Sequence, residues 1–517
     1  MHIRLLLALG VLFSVFTLGI LTLFFLDINL PTELHAFKLA ALSKLKDSPL
    51  PSGKLQSSPV EESIVNEDDI EDSSWEDAAR LTVPPALDND SGYSSYSMPL
   101  SSTFETTIPN GAAIHGFSVF DNLVMCNGIF YIVTNNQSIF PSKDHIIRPP
   151  PPTHRGKFGS QDPNPEDIQF IIPDELAPLL GDSAMRFEGF SWINYDVSLF
   201  MNHYYHWWGE VILGGWRTYS LIGLDADGTF HPERLRLPDR MLFPLVEEGK
   251  WRDKAGVDGP LMHAAFPRAS FDERDHWLDL IKLNLTFVFE RALIVNREAA
   301  HSHPFGGRWF KMIAGTQELK VAEFDPASSS PSHEGFWSPL RKSLTHNLLG
   351  YLPMFASLTD RAVISPASVR SKKPVVTYIN RQGTNRRLTD ESHQSLVDAL
   401  RELEKEGVCE VQIVRFENVP LKEQVRLAAR SSIMVAVHGN GLTHQLWMPP
   451  SARSAIIEIV YPQAYSFDYE MLARNMGHKH YTVWNDTLIA YAKGTYHQVR
   501  LARTFDIHYG LCSSCYS

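Results

Sequence analysis

The fold is decided by the stretch Ile433-Met-Val-Ala-Val437-His-Gly-Asn-Gly-Leu-Thr-His444, which joins an apolar run to a glycine-containing turn. A short, uninterrupted apolar run is typical of a strand buried on both faces of a sheet. Gly439 and Gly441 in the turn let the backbone approach a ligand closely. A short helix is predicted next, at residues 442–447. The stretch therefore predicts a strand, turn and helix unit of a parallel α/β sheet.

The same alternation continues on both sides of this unit. Helical spacing of apolar residues follows Thr389, which can cap a helix, and Gly407 can end that helix. Ligands of doubly wound parallel sheets bind beyond the carboxyl ends of the strands, so functional residues are expected there. The remaining predicted elements are strands at residues 374–379, 409–414 and 455–460, a helix at 421–429, and an earlier hairpin at 119–133 around Asn127-Gly128.

Three segments at these strand ends carry polar residues. Arg381, Arg386 and Arg387 follow the first strand, and arginines can bind a pyrophosphate through bidentate hydrogen bonds; a solvated basic loop is the alternative. The turn at His438 opens a helix whose N-terminus favours an anion, although a simple tight turn would look the same. Glu458 interrupts an apolar strand, where it could bind a ribose or be a buried acid with a structural partner.

The string Asn202-His-Tyr-Tyr-His206-Trp-Trp-Gly-Glu210 carries a possible acid–base pair. His206 and Glu210 are four residues apart, so a helix places them on one face. A histidine paired with a carboxylate can act as a general base; a metal pair or a histidine within an aromatic core remains possible. Asn202 and Trp207, which flank His206, are assigned to the acceptor side. Asp225-Ala-Asp227-Gly resembles a metal-binding motif but is typical of a turn, so no metal site is predicted.

Composition sets limits on the class of protein. The chain has 517 residues, of which 44% are hydrophobic, so two globular lobes with non-globular ends are expected. A net charge of −12 argues against a dedicated nucleic-acid-binding protein. Four cysteines are too few for a disulfide scaffold, and their three possible pairings stay open. The predicted regions are 1–4 (cytosolic stub), 5–26 (transmembrane helix), 27–107 (disordered stem), 108–345 (first lobe), 346–505 (second lobe) and 506–517 (tail).

The N-terminus predicts the compartment. Residues 5–26 carry no charge and are long enough to span a bilayer as a helix; an uncleaved or cleaved secretory leader is the alternative. Arg4 before the segment and Asp27 after it predict a single-pass type II orientation with the bulk of the chain in the lumen of the Golgi or endoplasmic reticulum. The candidate N-glycosylation sites are Asn89, Asn136, Asn284 and Asn485.

Taken together, these strings resemble glycosyltransferase family 61, which includes extracellular O-linked N-acetylglucosaminyltransferases and plant xylan xylosyl- and arabinosyltransferases. Three strings resemble family signatures: Asn202 to Glu210, the arginine loop after Ile379, and Val437 to His444. Glu458 sits where the family places a strand glutamate. One departure is Asn440, where many relatives carry Ala. The resemblance spans roughly residues 118–487 and is strongest over residues 375–460.

The resemblance implies two Rossmann-like lobes of the GT-B type, a UDP-sugar donor, inversion at the anomeric carbon and no required metal or other cofactor. His206, supported by Glu210, is then the expected base. The expected donor-binding residues are Arg381, Arg386, His438, Gly439, Gly441, Leu442, Thr443 and Glu458. GlcNAc or xylose is the expected sugar, and a glycan or glycoprotein hydroxyl the acceptor. An inactive luminal sugar-binding protein is the main alternative, and a sulfo- or phosphotransferase the third.

Overall fold

The computed structural model describes residues 97–157, 162–198, 201–325, 335–352, 373–461, 465–485 and 487–490. It shows a protein with two sheets and many helices, which confirms the predicted α/β class. We call residues 97–352 the N-terminal part and residues 373–490 the C-terminal part; each contains one sheet. The predicted membrane segment at residues 5–26, most of the predicted stem and the predicted tail lie outside the described residues. Among the described helices, none has the length and apolar character needed to cross a bilayer.

The sheet of the N-terminal part is mixed. Within the described residues it has nine strands, in the order β5-β4-β3-β9-β6-β7-β8, with β1 on β6 and β2 on β3. Its central strand β9 runs parallel to β6 and antiparallel to β3. The strands are β1 (Ser97–Pro99), β2 (Ala113–Ile114), β3 (Phe117–Cys126), β4 (Ile129–Val133), β5 (Ile168–Ile171), β6 (Ser183–Asn194), β7 (Arg240–Leu242), β8 (Ser270–Asp272) and β9 (Thr286–Val295).

Two features of this sheet bear on the sequence predictions. Strands β3 and β4 form the predicted antiparallel hairpin, and Asn127 (φ 51°) and Gly128 (φ 82°) adopt the positive φ values that such a tight turn requires. Residues 97–107, which the sequence assigns to the stem, already take part in the sheet: β1 pairs with β6, and Thr107 bridges to Asp121. Residues from Ser97 onward therefore belong to the folded N-terminal part and not to the stem.

The helices of the N-terminal part lie between and after these strands. The most important for the site is a continuous helical segment at residues 204–219, whose middle turn, Trp207–Ile212, is a π-helix. π-Turns of this kind are rare and often occur at functional sites. The helices are α1 (Lys143–Ile146), α2 (Pro173–Leu180), α3 (Tyr204–His206), α4 (Leu213–Tyr219), α5 (Asp258–Ala265), α6 (Arg274–Lys282), α7 (Arg297–His301), α8 (Pro304–Trp309) and α9 (Ser338–Leu349).

The C-terminal part contains the four strands that the sequence predicts, followed by two strands that it does not. Its strands are β10 (Val375–Ile379), β11 (Glu410–Val414), β12 (Ile433–Val437), β13 (Ala455–Ile459), β14 (Lys479–Trp484) and β15 (Thr487–Ala490). They are ordered β11-β10-β12-β13-β14-β15, and every neighbouring pair except β14 and β15 is parallel. The carboxyl ends of β10, β12 and β13 therefore meet at one edge, where the polar segments follow.

Helices α10 (Asp390–Lys405), α11 (Leu421–Arg430) and α12 (Asp468–Met476) pack around this sheet. The side chain of Thr389 caps α10 by accepting a hydrogen bond from the Ser392 N–H, as predicted. The helix predicted at residues 442–447 is instead a 3₁₀ segment that begins earlier, Asn440–Trp447. A large hydrophobic cluster connects the two parts: Trp208 of the π-turn stacks edge-on against Trp447, with ring centroids 5.0 Å apart.

Candidate active site

His206 and Glu210 form a close pair. Nδ1 of His206 lies 2.6 Å from Oε2 of Glu210, whose side chain is 1% exposed, whereas the His206 side chain is 26% exposed. Burial alone would raise the pKa of the Glu210 carboxyl, but the neighbouring charges of His206 and Arg297 outweigh it and hold that pKa well below its usual range. Glu210 is therefore a carboxylate, which can only accept hydrogen bonds, so the Nδ1 atom of His206 carries the proton between them. Nε2 is then the ring position that takes up a further proton.

Two cations that the sequence analysis missed surround this pair. Arg297, at the start of α7, has its Nη1 3.3 Å from Oε2 of Glu210, and both side chains are almost fully buried. Lys311 follows α8, and its Nζ lies 5.6 Å from the ring centroid of Tyr205. No local sequence signal marks either residue, because each reaches the pair through the tertiary fold.

The aromatic residues around His206 are mostly core. Trp207 is fully buried, and its ring lies 5.7 Å from that of Trp251. The structure therefore places Trp207 in the hydrophobic core instead of on an acceptor surface, because the π-turn directs its side chain inward. Asn202 is exposed, as an acceptor-side residue would need to be. Nε1 of Trp447 donates to the Tyr204 hydroxyl at 2.9 Å, which ties α3 to the 3₁₀ segment.

The arginine loop and the glycine turn are in contact. Nη1 of Arg381 donates a hydrogen bond to the carbonyl oxygen of His438. Gly439 makes this contact possible: its φ is +151°, and a Cβ at this position would lie 1.6 Å from Nη1 of Arg381. Burial lowers the pKa of the Arg381 guanidinium, which nevertheless stays charged at neutral pH. The structure thus joins two of the predicted donor-binding segments.

Glu458 lies within strand β13, as predicted, and its carboxylate contacts two histidines. It is fully buried, Nδ1 of His438 lies 2.5 Å from its Oε1, and Nε2 of His480 lies 2.9 Å from its Oε2. Burial would raise the pKa of this carboxyl, but the hydrogen bonds from His438 and His480 lower it below its usual value. Each oxygen of Glu458 thus contacts one histidine, and Glu458 holds His438 as Glu210 holds His206. This contact is the structural-partner alternative of the sequence analysis, and the ribose assignment stays a prediction.

The other predicted donor residues divide into two groups. Arg386 is an exposed residue of the same loop as Arg381, and its charge acts on Arg381. Gly441 is partly exposed and packs near Ile379. Leu442 and Thr443 are fully buried, and the Thr443 hydroxyl donates to Oδ1 of Asn440 at 3.3 Å. The side chains of Leu442 and Thr443 therefore pack inside the protein, and their predicted donor contacts would come from their backbone N–H groups.

Residues of the two parts lie within electrostatic reach of one another. Burial lowers the pKa of His203 to about 4, and His206, with its ring 4.9 Å away, adds to this effect. Asp468 and Arg386 of the C-terminal part act on the same imidazole. His203, His206, Arg386 and Asp468 therefore belong to one polar cluster.

An ion pair between Lys311 and Asp468 crosses from one part to the other. Asp468 begins α12 and also accepts a hydrogen bond from the Ser466 hydroxyl. Burial opposes ionisation of Asp468, but the Lys311 charge outweighs it and lowers the pKa of this carboxyl well below its usual range. The cluster thus contains a His–Glu pair, a cationic loop and this ion pair.

The acidic turn at residues 225–228 is held by protein groups. Asp225 contacts Nε2 of His231 at 2.9 Å and Nη1 of Arg234 at 2.5 Å, and Asp227 accepts from the Thr229 N–H at 2.9 Å. No group of three or more candidate ligands is arranged to hold a metal within the described part of the chain.

Three candidate glycosylation sites, Asn136, Asn284 and Asn485, are exposed, whereas Asn89 lies outside the described residues. Exposure is compatible with modification and leaves these sites as predictions.

Comparisons with known proteins place this arrangement in a class. A family model described as Glycosyltransferase 61 matches residues 204–455. This range includes His206, Glu210 and His438 and ends just before Glu458. The chain is 30% identical over 84 residues to the EGF domain-specific O-linked N-acetylglucosamine transferase of Drosophila melanogaster. That alignment covers 16% of this chain and 15% of the relative. Both comparisons point to the glycosyltransferase class. Over residues 204–455, the chain therefore matches glycosyltransferase family 61.

Proposed function

We propose that this protein transfers a sugar from a UDP-sugar to a hydroxyl group of a glycan or glycoprotein, with inversion at the anomeric carbon and with the two parts acting as lobes of the GT-B type. The observation that carries the proposal is the placement of the His206–Glu210 pair in one polar cluster with the Arg381 loop. An inverting transfer needs a base beside the acceptor and positive charge beside the leaving diphosphate, and this cluster supplies both.

His206 is the proposed base. Its Nε2 removes the proton of the acceptor hydroxyl while the hydroxyl oxygen bonds to the anomeric carbon. The bond from that carbon to the UDP oxygen breaks at the same time, and UDP leaves with the electron pair. Glu210, held as a carboxylate, stabilises the imidazolium that forms, and Arg297 holds Glu210 in place.

The charge of the leaving diphosphate is the second requirement. Arg381 and Arg386 are the proposed partners of its oxygens, because an arginine can offer two parallel N–H donors to a phosphate. His438, oriented by Glu458, stands beside Arg381 and is the proposed third donor. These groups would act without a metal ion, and the metal-independence of the reaction is part of the proposal.

The donor sugar and the cellular compartment are further parts of the proposed function. We propose GlcNAc as the first donor to test, because the Drosophila relative is named as an N-acetylglucosamine transferase; xylose is the second, from the resemblance to plant family members. We also propose that residues 5–26 anchor the protein in the Golgi or endoplasmic reticulum membrane with the catalytic part in the lumen. Protection of the bulk of the chain from protease in sealed microsomes tests this orientation.

A donor screen tests the activity. The purified full-length protein is incubated with a panel of UDP-sugars and candidate glycoprotein acceptors, and released UDP and the anomeric configuration of the product are measured. We expect turnover with one donor, with an inverted product, and loss of turnover in His206→Ala. His276→Ala, which changes an exposed histidine, is the matched control. UDP binding without transfer for any donor would instead identify an inactive sugar-binding protein.

A further inference from the structure

Asn440 of the glycine turn contacts the helix that carries the proposed base. Its Oδ1 accepts a hydrogen bond from the Tyr205 N–H at 3.1 Å and a second from the Thr443 hydroxyl at 3.3 Å. Tyr205 lies in the first turn of α3, immediately before His206. The backbone N–H groups of a first helical turn have no partner within the helix, so side chains, water or ligands satisfy them.

The residue that ordinarily does this is the N-cap. Here the N-cap is His203, and its side chain makes no capping hydrogen bond. Asn440 instead supplies the cap from a distant part of the sequence, and asparagine is among the residues best suited to capping. The start of the helix that carries His206 is therefore fixed by the C-terminal part.

Asn440 also follows directly on the residues proposed to bind the diphosphate. Gly439 packs against Arg381, and Arg381 bonds to the carbonyl of His438. A movement of this turn when a diphosphate binds to Arg381 would reach Oδ1 of Asn440 within two residues. Because Oδ1 of Asn440 accepts from the Tyr205 N–H, the movement would also shift the start of the helix that carries His206.

We infer that Asn440 is a positioning residue that couples occupation of the donor site to the alignment of His206. This inference rests on the proposed function, because it takes UDP as the donor-site ligand and His206 as the base. Its role is to hold the helix start in the catalytic arrangement when UDP is bound. Asn440 itself contacts neither the acceptor hydroxyl nor the anomeric carbon in this account.

Two substitutions separate this role from donor binding. Asn440→Ala removes the cap, so turnover should fall roughly ten-fold while UDP affinity stays near that of the parent. Asn440→Asp keeps an oxygen that can accept from the Tyr205 N–H but adds a negative charge near the diphosphate. It should therefore restore most of the turnover at saturating donor and raise the donor KM. Asn418→Ala, an exposed asparagine of the same part, is the control and should change neither value.

Hydrogen exchange gives a readout that does not depend on activity. The peptide covering residues 204–212 is followed by mass spectrometry in the full-length protein, with and without UDP. We expect UDP to slow exchange in the parent, in Asn440→Asp and in Asn418→Ala. In Asn440→Ala, exchange should be roughly ten-fold faster without ligand, and UDP should no longer slow it.

The outcomes distinguish this inference from the proposed function. If the parent neither binds UDP nor turns over any donor, the proposed function fails and the coupling fails with it. If the parent binds UDP and transfers sugar, but Asn440→Ala shows parental exchange and turnover, the coupling alone is overturned. If Asn440→Ala loses UDP binding outright, Asn440 is a donor-binding residue and the positioning role is also overturned.

Discussion

Replacing Glu210 by glutamine tests the proposed base most directly. The substitution keeps the size of the side chain but removes the charge that faces His206 and Arg297. Two unit charges about 4 Å apart attract by roughly 4 kcal/mol at an effective dielectric constant of about 20. If Glu210 stabilises the imidazolium in the transition state, losing this attraction should lower turnover by about 10³-fold, which lies within the range of about 10²–10⁴ for general acid–base catalysis.

The same change should also destabilise the fold, because it leaves Arg297 buried without its carboxylate. Breaking a buried ion pair from one side costs on the order of 3–5 kcal/mol. Turnover is measured as UDP release at saturating donor, at a temperature where melting curves show the variant to be folded. Glu298→Gln removes the same charge from a neighbouring, partly buried position and should leave turnover near the parental value. A folded Glu210→Gln variant with turnover within about three-fold of the parent would refute the assignment of the His206–Glu210 pair as the base.

Three further predictions follow from contacts elsewhere in the protein. Gly439→Ala should abolish UDP-induced thermal stabilisation because the added Cβ displaces Arg381. Arg381→Ala should lose roughly 2–4 kcal/mol of transition-state stabilisation, and Arg381→Lys should lose less. If all three variants respond to UDP like the parent, the diphosphate site must lie elsewhere. Turnover should survive both EDTA and Asp225→Ala, since protein groups already hold the Asp225 carboxylate. Loss of turnover under both conditions, with recovery on addition of manganese, would contradict this prediction. Burial lowers the pKa of His478 to about 3, so below pH 6.5 the unfolded chain takes up a proton that the folded chain does not. Stability should therefore fall as pH drops towards 3, and His478→Gln should reduce this slope in denaturant melts by up to about 1.4 kcal/mol per pH unit; an unchanged slope would refute it.

The C-terminal sheet could be predicted from sequence because its signals are local. Each of its first four strands is a short apolar run between helices or turns, and the cap at Thr389 needs only a residue three positions further along the chain. The mixed order of the N-terminal sheet could not be predicted in this way. Strand β9 inserts between β3 and β6, and nothing in its own composition specifies two distant neighbours of opposite direction.

The candidate site shows the same division. The spacing of His206 and Glu210 predicts their contact, which the structure shows at 2.6 Å. The roles of Lys311 and Asp468 cannot be predicted from the sequence, because ordinary surface residues look the same there. Glu458 is unusual within an apolar strand, but its partner His480 lies on β14, and the contact between them follows only from the pairing of β13 with β14.

The central position of β9 has a consequence for how the protein is made. The first sheet cannot be completed until residues 286–295 have been synthesised, although β3 is finished at residue 126. At about 5–20 residues per second, the early strands wait on the order of ten seconds for their central partner. During that interval β3 and β6 expose apolar side chains and unpaired edges, the features that invite aggregation. Production of this protein in a heterologous host should therefore depend on chaperones that bind nascent chains before residue 295 emerges.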